Sequence, residues 1–232
     1  MNFLRMPLVA VQGRRVRATL DPAPPAAGPT TGVVGDEAVE PLRLCVVGDS
    51  TAAGHGVDTH ADGFAGCLAR TLVEQTGRSV HWTAVGRLGA TSRRIRYRLL
   101  PRLDARLDLA VLLAGVNDVL GGRSPKQWGE DLAAIVDDLT ERAAHVAVSG
   151  LPPFAEFPVL PKTLARYLGE RAQAFDEVSA RVCADRNATL LDSRWVGPGT
   201  VTADFFASDR FHPSALGYRR WGEFAAAQLP PF

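Results

Sequence analysis

From residue 42 onwards, short and almost continuous apolar runs alternate with longer segments whose apolar positions lie three or four residues apart. The apolar runs predict five strands that are covered on both faces. In chain order they are LRLCVVG (42–48), SVHWTAV (79–85), LDLAVLLAG (107–115), HVAVSG (145–150) and ATLLD (188–192). Strands that alternate with helices predict a parallel sheet with right-handed crossovers.

The segments between these strands predict the helices. The predicted helices cover about 62–74, a stretch after Thr91 that is broken near Pro101, 125–142, 163–186 and a last helix from Pro213. Ser124, Pro125 and Gln127 have the spacing of a capping box with proline at the first helical position. The chain from residue 42 to 232 is therefore expected to form one α/β domain.

Residues 1–41 have a different pattern and are interpreted as an amino-terminal arm with a Pro/Gly-rich linker. Alternating apolar and polar positions over 15–20 predict a small hairpin that turns near Gln12-Gly13, with an amphipathic helix as the alternative. Proline, glycine and alanine dominate residues 21–41, which predicts a linker or a loosely wrapped arm.

Composition narrows the class of protein. Of 232 residues, 46% are hydrophobic and 22% are charged, and the formal net charge is +1, so neither nucleic acid nor an anionic membrane is expected as a partner. Three cysteines without a C-x-x-C pair predict no disulfide framework and no zinc site. No apolar stretch approaches the roughly 20 residues that span a bilayer, and the amino terminus is a poor secretory signal. A cytoplasmic location is therefore expected.

The stretch VVGDSTAAGHGV (46–57) raises the question of what Ser50 does. A serine after a strand often caps a helix. A nucleophilic serine needs a base, a group that orients the base, and donors for an oxyanion. The stretch lacks both the Gly-Lys-Ser/Thr ending of a phosphate loop and the third glycine of a dinucleotide fingerprint, so nucleotide-dependent chemistry is disfavoured.

Among the five histidines, His212 is the best candidate for the base. It follows Asp209 by three residues in DRFHP, and that spacing lets the carboxylate reach the Nδ1–H group. Nε2 is then left to take a proton from a serine. Taken alone, the pair also fits a capping acid beside a surface histidine.

Candidate oxyanion donors follow the first three strands. They are the backbone N–H of Ser50, which we expect at the positive end of a helix, the N–H of Gly89 and the side-chain amide of Asn117. A turn glycine and a loop-capping asparagine are the simpler explanations of the latter two residues. Because ligands bind beyond the carboxyl ends of parallel strands, all these residues are expected at one edge of the sheet.

Together, four short blocks resemble those of the SGNH (GDSL-type) hydrolases. They are Gly48-Asp49-Ser50, Gly89-Ala90-Thr91, Gly115-Val116-Asn117-Asp118 and Asp209-Arg210-Phe211-His212. The resemblance covers residues 42 to about 229 and implies a flavodoxin-like three-layer α/β/α sandwich, with about five mostly parallel strands in the order 2-1-3-4-5. The chain departs from the family in its second block, where Ala84-Val85 replaces an asparagine that is frequent there.

The resemblance also implies a role for each residue. Ser50 is the nucleophile, His212 the general acid and base, and Asp209 its partner. The Ser50 N–H, the Gly89 N–H and the Asn117 amide form the oxyanion hole.

A serine esterase for a small or lipid-like acyl ester is the resulting interpretation. An acyltransferase or carbohydrate deacetylase using the same residues is one alternative, and a binding module without catalysis is another. No metal or other cofactor is expected, and a monomer is favoured. The arm carries none of the blocks and is expected to be dispensable for the chemistry.

Two further segments have weaker signals. The apolar, proline-rich segment 149–161 is a candidate wall for an acyl chain, although its aromatic residues also fit a loop folded onto the core. The six arginines of segment 93–106 are expected on a solvated face, with recognition of an anionic substrate as the alternative.

Overall fold

A six-stranded sheet forms the middle layer of the fold, and helices cover both its faces. The computed structural model describes residues 6–36, 40–103, 106–193 and 202–232. The strands are β1 (Thr31–Val34), β2 (Leu42–Gly48), β3 (Val80–Gly86), β4 (Leu107–Leu113), β5 (Ala143–Ser149) and β6 (Thr189–Leu191). Their order is β1-β3-β2-β4-β5-β6, and only β1 is antiparallel to its neighbour. The predicted class is confirmed, and the five parallel strands have the predicted order.

Seven helices are described, together with shorter turns. They are α1 (Met6–Thr19), α2 (Phe64–Thr76), α3 (Ser92–Arg94), α4 (Val116–Leu120), α5 (Pro125–Thr140), α6 (Lys162–Asp185) and α7 (Ala215–Ala226). A π-helical turn, Ile95–Leu99, and a 3-10 turn, Leu100–Arg102, continue α3. The capping box of α5 is present as predicted.

Both faces of the sheet are buried, which explains why the strands are almost wholly apolar. Along β2, Cys45 and Val47 pack into the core beneath α5 and α6. Leu44 and Val46 point the other way, into the core beneath α2 and α7. This alternation of successive side chains places one apolar layer on each side of the sheet.

The predicted amino-terminal hairpin is wrong, because residues 6–19 form the helix α1. Val9 and Val16, two turns apart, both face the core, and this helical period prevails over the short alternation near residue 18. Gln12 accepts the backbone N–H of Leu164 through its side-chain oxygen, at 3.1 Å. It thereby satisfies one of the unpaired N–H groups at the start of α6.

The segment predicted as a linker contains an unpredicted strand, β1. Its pairing with the edge strand β3 brings Gly32 against the ring of Trp82, where a Cβ atom would lie 2.5 Å from ring carbon Cζ2. Only glycine fits this close approach, so Gly32, which the sequence suggested as part of a linker, is required by the packing of the sheet.

Within the described ranges, no helix has the length and apolar character needed to cross a bilayer.

Gly48 provides a test of how tightly the sheet edge is packed. A Cβ atom at Gly48 would lie 2.1 Å from the carbonyl oxygen of Leu113 on the neighbouring strand. We expect Gly48→Ala to lower the free energy of unfolding by about 1–3 kcal/mol, as overpacking does, measured by urea denaturation.

Gly169 in α6 is the matched control, because an added Cβ there meets nothing within 4 Å. Gly169→Ala is expected to raise the free energy of unfolding by about 0.8–1 kcal/mol through helix propensity. Similar changes for both variants would contradict the close packing at Gly48.

Candidate active site

Ser50 lies directly beyond the end of the central strand β2. The Asp49 carboxylate accepts both the backbone N–H of Thr51, at 2.9 Å, and its hydroxyl, at 2.8 Å. This Asx turn fixes the backbone on both sides of Ser50. The expected helix after Ser50 is not present, because residues 50–56 form successive turns in which Gly54 and Gly56 have positive φ angles of +66° and +98°.

His212 reaches Ser50 across 162 residues of sequence. Its Nε2 atom lies 2.9 Å from Ser50 Oγ, and its Nδ1 atom lies 2.5 Å from Asp209 Oδ2. Arg210 has a φ angle of +58°, and this tight turn lets the Asp209 carboxylate accept the backbone N–H groups of Phe211 and His212, each at 2.9 Å. The structure thus brings together Ser50, His212 and Asp209.

The Asp209 carboxylate is buried and is held in its charged form. Its side chain is 1% exposed, and burial alone would raise its pKa. The hydrogen bonds from the His212 side chain and from the backbone N–H groups of Ala23, Phe211 and His212 outweigh burial, and they lower the pKa of Asp209 well below its usual range. A charged carboxylate is the form that orients an imidazole by accepting its Nδ1–H.

The predicted arm supplies one of these donors. The backbone N–H of Ala23 donates to Asp209 Oδ2 at 2.8 Å. The carbonyl oxygen of the same residue lies 2.6 Å from Nδ1 of His55, whose ring centroid is 5.3 Å from that of His212. These contacts argue against the expectation that the arm is dispensable for the chemistry.

From the sequence, His55 is interpreted at most as a pocket-lining residue, because no neighbouring acidic residue is placed to orient its ring. The structure shows that a backbone carbonyl orients it instead. Burial lowers the pKa of His55, so the neutral ring is favoured beside His212. A single histidine in VVGDSTAAGHGV was the only sequence signal for this contact, and Ala23 in DPAPPAAG gave none.

The three candidate oxyanion donors follow the ends of β2, β3 and β4, with Ser50 and Gly89 on turns and Asn117 in the first turn of α4. Gly89 has a φ angle of +70°, in the left-handed region that favours glycine. Among the described residues, no group accepts the N–H of Ser50 or of Gly89. Asn117 donates from its side-chain amide to the carbonyl oxygen of Ala90 at 3.1 Å and, at the longer distance of 3.4 Å, to Asp49 Oδ2. Asn117 is therefore tied to the turn that carries Gly89.

Asp118, the residue after Asn117, holds the turn that carries Gly89 in place through Ser92. Its fully buried carboxylate accepts the backbone N–H of Ser92 at 2.9 Å and the Ser92 hydroxyl at 2.6 Å. Burial raises the pKa of Asp118, while the bonds from Ser92 and the charge of Arg123 oppose that rise. The last residue of the third block thus acts on the position of the second block.

An apolar pocket with a volume of about 80 Å³ opens beside Ser50 and His212. It lies toward the carboxyl ends of β5 and β6, because Gly150 and Ser193 line it. Its apolar walls include Leu113, Val116, Phe157, Phe206 and Phe211. Of the predicted wall 149–161, Phe157 lines the pocket, whereas Phe154 is fully buried in the core.

No metal-binding cluster is found in the described part of the chain, where no group of three or more His, Cys, Asp or Glu residues could hold an ion. The three cysteines, Cys45, Cys67 and Cys183, are buried and form no disulfide.

Comparisons with known proteins place this geometry in a family. A profile of the GDSL-like lipase/acylhydrolase family matches residues 46–220. The chain is 29% identical over 188 residues to the GDSL-like esterase Rv1075c of Mycobacterium tuberculosis (strain ATCC 25618 / H37Rv). The match covers 76% of this chain and 58% of that protein, so the chain spans less than two thirds of the length of this relative.

Solved structures of similar fold include TesA, which superposes with a TM-score of 0.65 at 29% identity, over 82% of this chain and 98% of that one. The psychrotrophic esterase EstA from Pseudoalteromonas sp. superposes with a TM-score of 0.58 at 19% identity, over 80% of this chain and 94% of its own. At that identity, the second likeness concerns the fold alone.

The contact between Ala23 and Asp209 can be tested with Ala23→Pro, which removes the N–H donor. Pro22 and Pro24 flank this position, so a further proline suits the extended backbone that precedes a proline. We expect the pKa of Asp209 to rise toward its ordinary value, observed by carboxyl ¹³C NMR. The free energy of unfolding near pH 7 should fall by about 1.5–3 kcal/mol, the range for a hydrogen bond to a charged group.

The pH dependence of this deficit has a definite sign. Asp209 has a lower pKa in the folded than in the unfolded state, so its contribution to stability is complete above about pH 4 and is lost as the pH falls further. The deficit of Ala23→Pro should therefore shrink below pH 4. Ala23→Ser keeps the donor and should behave like the wild type. An unchanged pKa of Asp209 in a folded Ala23→Pro protein would contradict the role given to this bond.

Proposed function

Because the chain belongs to the GDSL-like lipase/acylhydrolase family, we propose that it hydrolyses short acyl esters through an acyl-enzyme on Ser50. Membership of this family supports a hydrolase of ester substrates, and the proposal adds the mechanism and the size of the acyl group. The observation that carries the proposal is the connected line from Ser50 Oγ to His212 and on to Asp209, with separations of 2.9 and 2.5 Å.

Acylation begins when His212 Nε2 takes the hydroxyl proton of Ser50 and Ser50 Oγ attacks the ester carbonyl carbon. Asp209 holds the ring in the tautomer with Nδ1–H and stabilises the imidazolium. When the tetrahedral intermediate collapses, the bond from carbon to the leaving oxygen breaks, and that oxygen takes the proton from His212. Water then repeats the sequence on the acyl-enzyme and releases the acid.

The N–H groups of Ser50 and Gly89 and the Asn117 amide stabilise the oxyanion. The two backbone donors have no acceptor among the described residues and are therefore available to a ligand oxygen. The bond from Asn117 to Ala90 holds one amide N–H, while the 3.4 Å contact with Asp49 holds the other only weakly. Donors fixed in advance in this way stabilise a developing negative charge without reorganisation.

The acyl group is proposed to occupy the apolar pocket beside Ser50. A volume of about 80 Å³ has room for roughly five to eight water-sized groups, which suits a short acyl group better than a long chain. Among its aromatic walls, the ring of Phe157 contacts the rings of Phe206 and Phe211, with centroids 5.3 and 5.2 Å apart, so these three side chains support one another on this side of the pocket.

Ser50→Ala tests the nucleophile. We expect ester turnover to fall by about 10⁴–10⁶-fold, as it does when a serine nucleophile is removed. His212→Ala should lose nearly as much, and the double variant little more, because the two side chains act as one unit. Mass spectrometry after treatment with a fluorophosphonate should locate the adduct on Ser50. An adduct on a different serine would exclude the proposed mechanism.

The same assay separates hydrolysis from the alternative of acyl transfer. Wild-type protein is incubated with a short ester in the presence and absence of an alcohol or sugar acceptor, and the products are identified. Hydrolysis predicts free acid as the main product in both mixtures. Predominant transfer to the acceptor would replace the esterase proposal with the transferase.

Asn117 offers a test that separates a donor to the oxyanion from a structural cap. Asn117→Ala is expected to lower kcat by roughly 10²–10³-fold with little change in KM, because the donor acts mainly in the transition state. Asn117→Asp should be at least as damaging, since it places a carboxylate beside the developing charge. Folding stability should change by only about 1 kcal/mol. Wild-type turnover in a folded Asn117→Asp protein would remove Asn117 from the site.

A further inference from the structure

A basic groove of about 700 Å³ lies on the surface beyond β3. Five of its lining residues are arginines: Arg87, Arg93, Arg94, Arg98 and Arg102. No carboxylate lines it within the described part of the chain. The whole chain carries only one net positive charge, so acidic residues elsewhere on the chain balance the positive charge that is concentrated in this groove.

The arginines of the groove differ from their neighbour Arg96. The guanidinium of Arg96 lies 3.2 Å from the Asp131 carboxylate, whereas none of the five forms an ion pair with a described carboxylate. Ile95 and Leu99 are buried in the core and fix which face of the helical segment 92–102 points outward. Like charges held together on one face repel, and a bound anion relieves that repulsion.

The groove shares a turn with the candidate oxyanion hole. Arg87 and Thr91 line the groove, and the turn between them carries Gly89, with the Ala90 N–H donating to the Arg87 carbonyl at 3.1 Å. Thr91 Oγ1 accepts the N–H of Arg94 and so keeps its own proton free to donate. The groove is therefore continuous with the turn that a bound ester carbonyl would touch.

The sheet order places the Gly89 turn, whose flanking residues Arg87 and Thr91 line the groove, on the opposite side of Ser50 from the apolar pocket. Along the carboxyl edge, the Gly89 turn follows β3, Ser50 follows β2, and the pocket lies toward β5 and β6. The carbonyl carbon of an ester has two substituents, an acyl chain and a leaving oxygen. With the acyl chain in the apolar pocket, the leaving group extends toward the arginines.

We propose that the leaving group of the substrate carries phosphate, which the arginine groove binds. This inference rests on the proposed esterase function and names its substrate class. A phosphate monoester carries about −1.5 to −2 charges near pH 7, and one guanidinium group can donate two parallel hydrogen bonds to its oxygens. Five arginines around 700 Å³ suit a leaving group that is larger and more highly charged than a single carboxylate. In the reaction, the bond from the acyl carbon to the leaving oxygen breaks, and the phosphorylated alcohol departs with the proton from His212.

A matched pair of esters tests the proposal: 2-acetoxyethyl phosphate and 2-acetoxyethyl methyl ether. For the wild type, kcat/KM should be about tenfold higher or more for the phosphate, chiefly through KM, since each charged hydrogen bond contributes about a factor of ten. The ratio of the two values should fall with added salt. It should also rise between pH 5 and 8, as the phosphate loses its second proton near pH 6.

The double variant Arg94→Gln/Arg98→Gln should lose most of this preference and keep the wild-type kcat/KM for the neutral ester. Arg166→Gln/Arg181→Gln is the matched control, because it removes the same charge from two exposed positions on α6. The control should retain the preference. Equal losses on both esters in the groove variant would mean that the arginines support the fold of the turn, which would overturn the proposal.

Failure of this inference and failure of the proposed function give different results. If Ser50 is not the nucleophile, the Ser50→Ala variant retains hydrolysis of the neutral ester. NMR titration with 2-acetamidoethyl phosphate, which is not an ester substrate, still reports on the groove. The affinity of the protein for this compound should fall in Arg94→Gln/Arg98→Gln but not in the control variant.

Equal wild-type kcat/KM for the two esters would overturn the proposal. So would arginine-dependent binding to phosphatidylglycerol vesicles without a preference for the soluble phosphate, since the groove would then serve a lipid surface.

Discussion

Parallel hydrogen bonding of β2 between β3 and β4 is the constraint on which the rest of the structure depends. In this register, Gly48 lies opposite both Gly86 and Leu113, so the three strands end at the same level. Parallel strands also require crossover helices, which cover both faces and make the strands almost wholly apolar. The polar residues of the candidate site lie just beyond the ends of these strands. The clustering of Ser50, the Gly89 turn and Asn117 is thus a result of sheet geometry before it is a matter of chemistry.

Hydrogen bonds to buried carboxylates then set the position of each group within that cluster. Asp49 fixes the turn around Ser50, Asp118 holds the Gly89 turn through Ser92, and Asp209 orients His212. Burying a carboxylate is costly unless it is fully bonded, so each of these residues favours a single arrangement of its surroundings. Backbone N–H groups supply several of the hydrogen bonds to these carboxylates. They suit this purpose because a backbone donor cannot rotate away from its acceptor as a side-chain donor can.

Local patterns in the sequence predicted much of this. Apolar runs predicted all five parallel strands, and the helices from 62–74 onward lie within about two residues of their predicted ends, while the spacing of Asp209 and His212 anticipated their contact. The failures in the amino-terminal arm have one physical cause: they concern residues whose conformation is set by partners far away in sequence. β1 exists because β3 offers an edge, α1 because α6 offers a surface, and the contact of Ala23 because Asp209 needs a donor. None of these partners is visible from the residues 6–36 themselves.

The bond between Ala23 and Asp209 joins positions that are 186 residues apart. A ribosome therefore makes Ala23 long before it makes Asp209. In a nascent chain that has not yet released Asp209 and His212, the segment around Ala23 has no carboxylate to which it can donate. The proposed cleavage of esters therefore requires synthesis at least as far as His212, and a product that stops before Asp209 lacks both side chains that would activate Ser50.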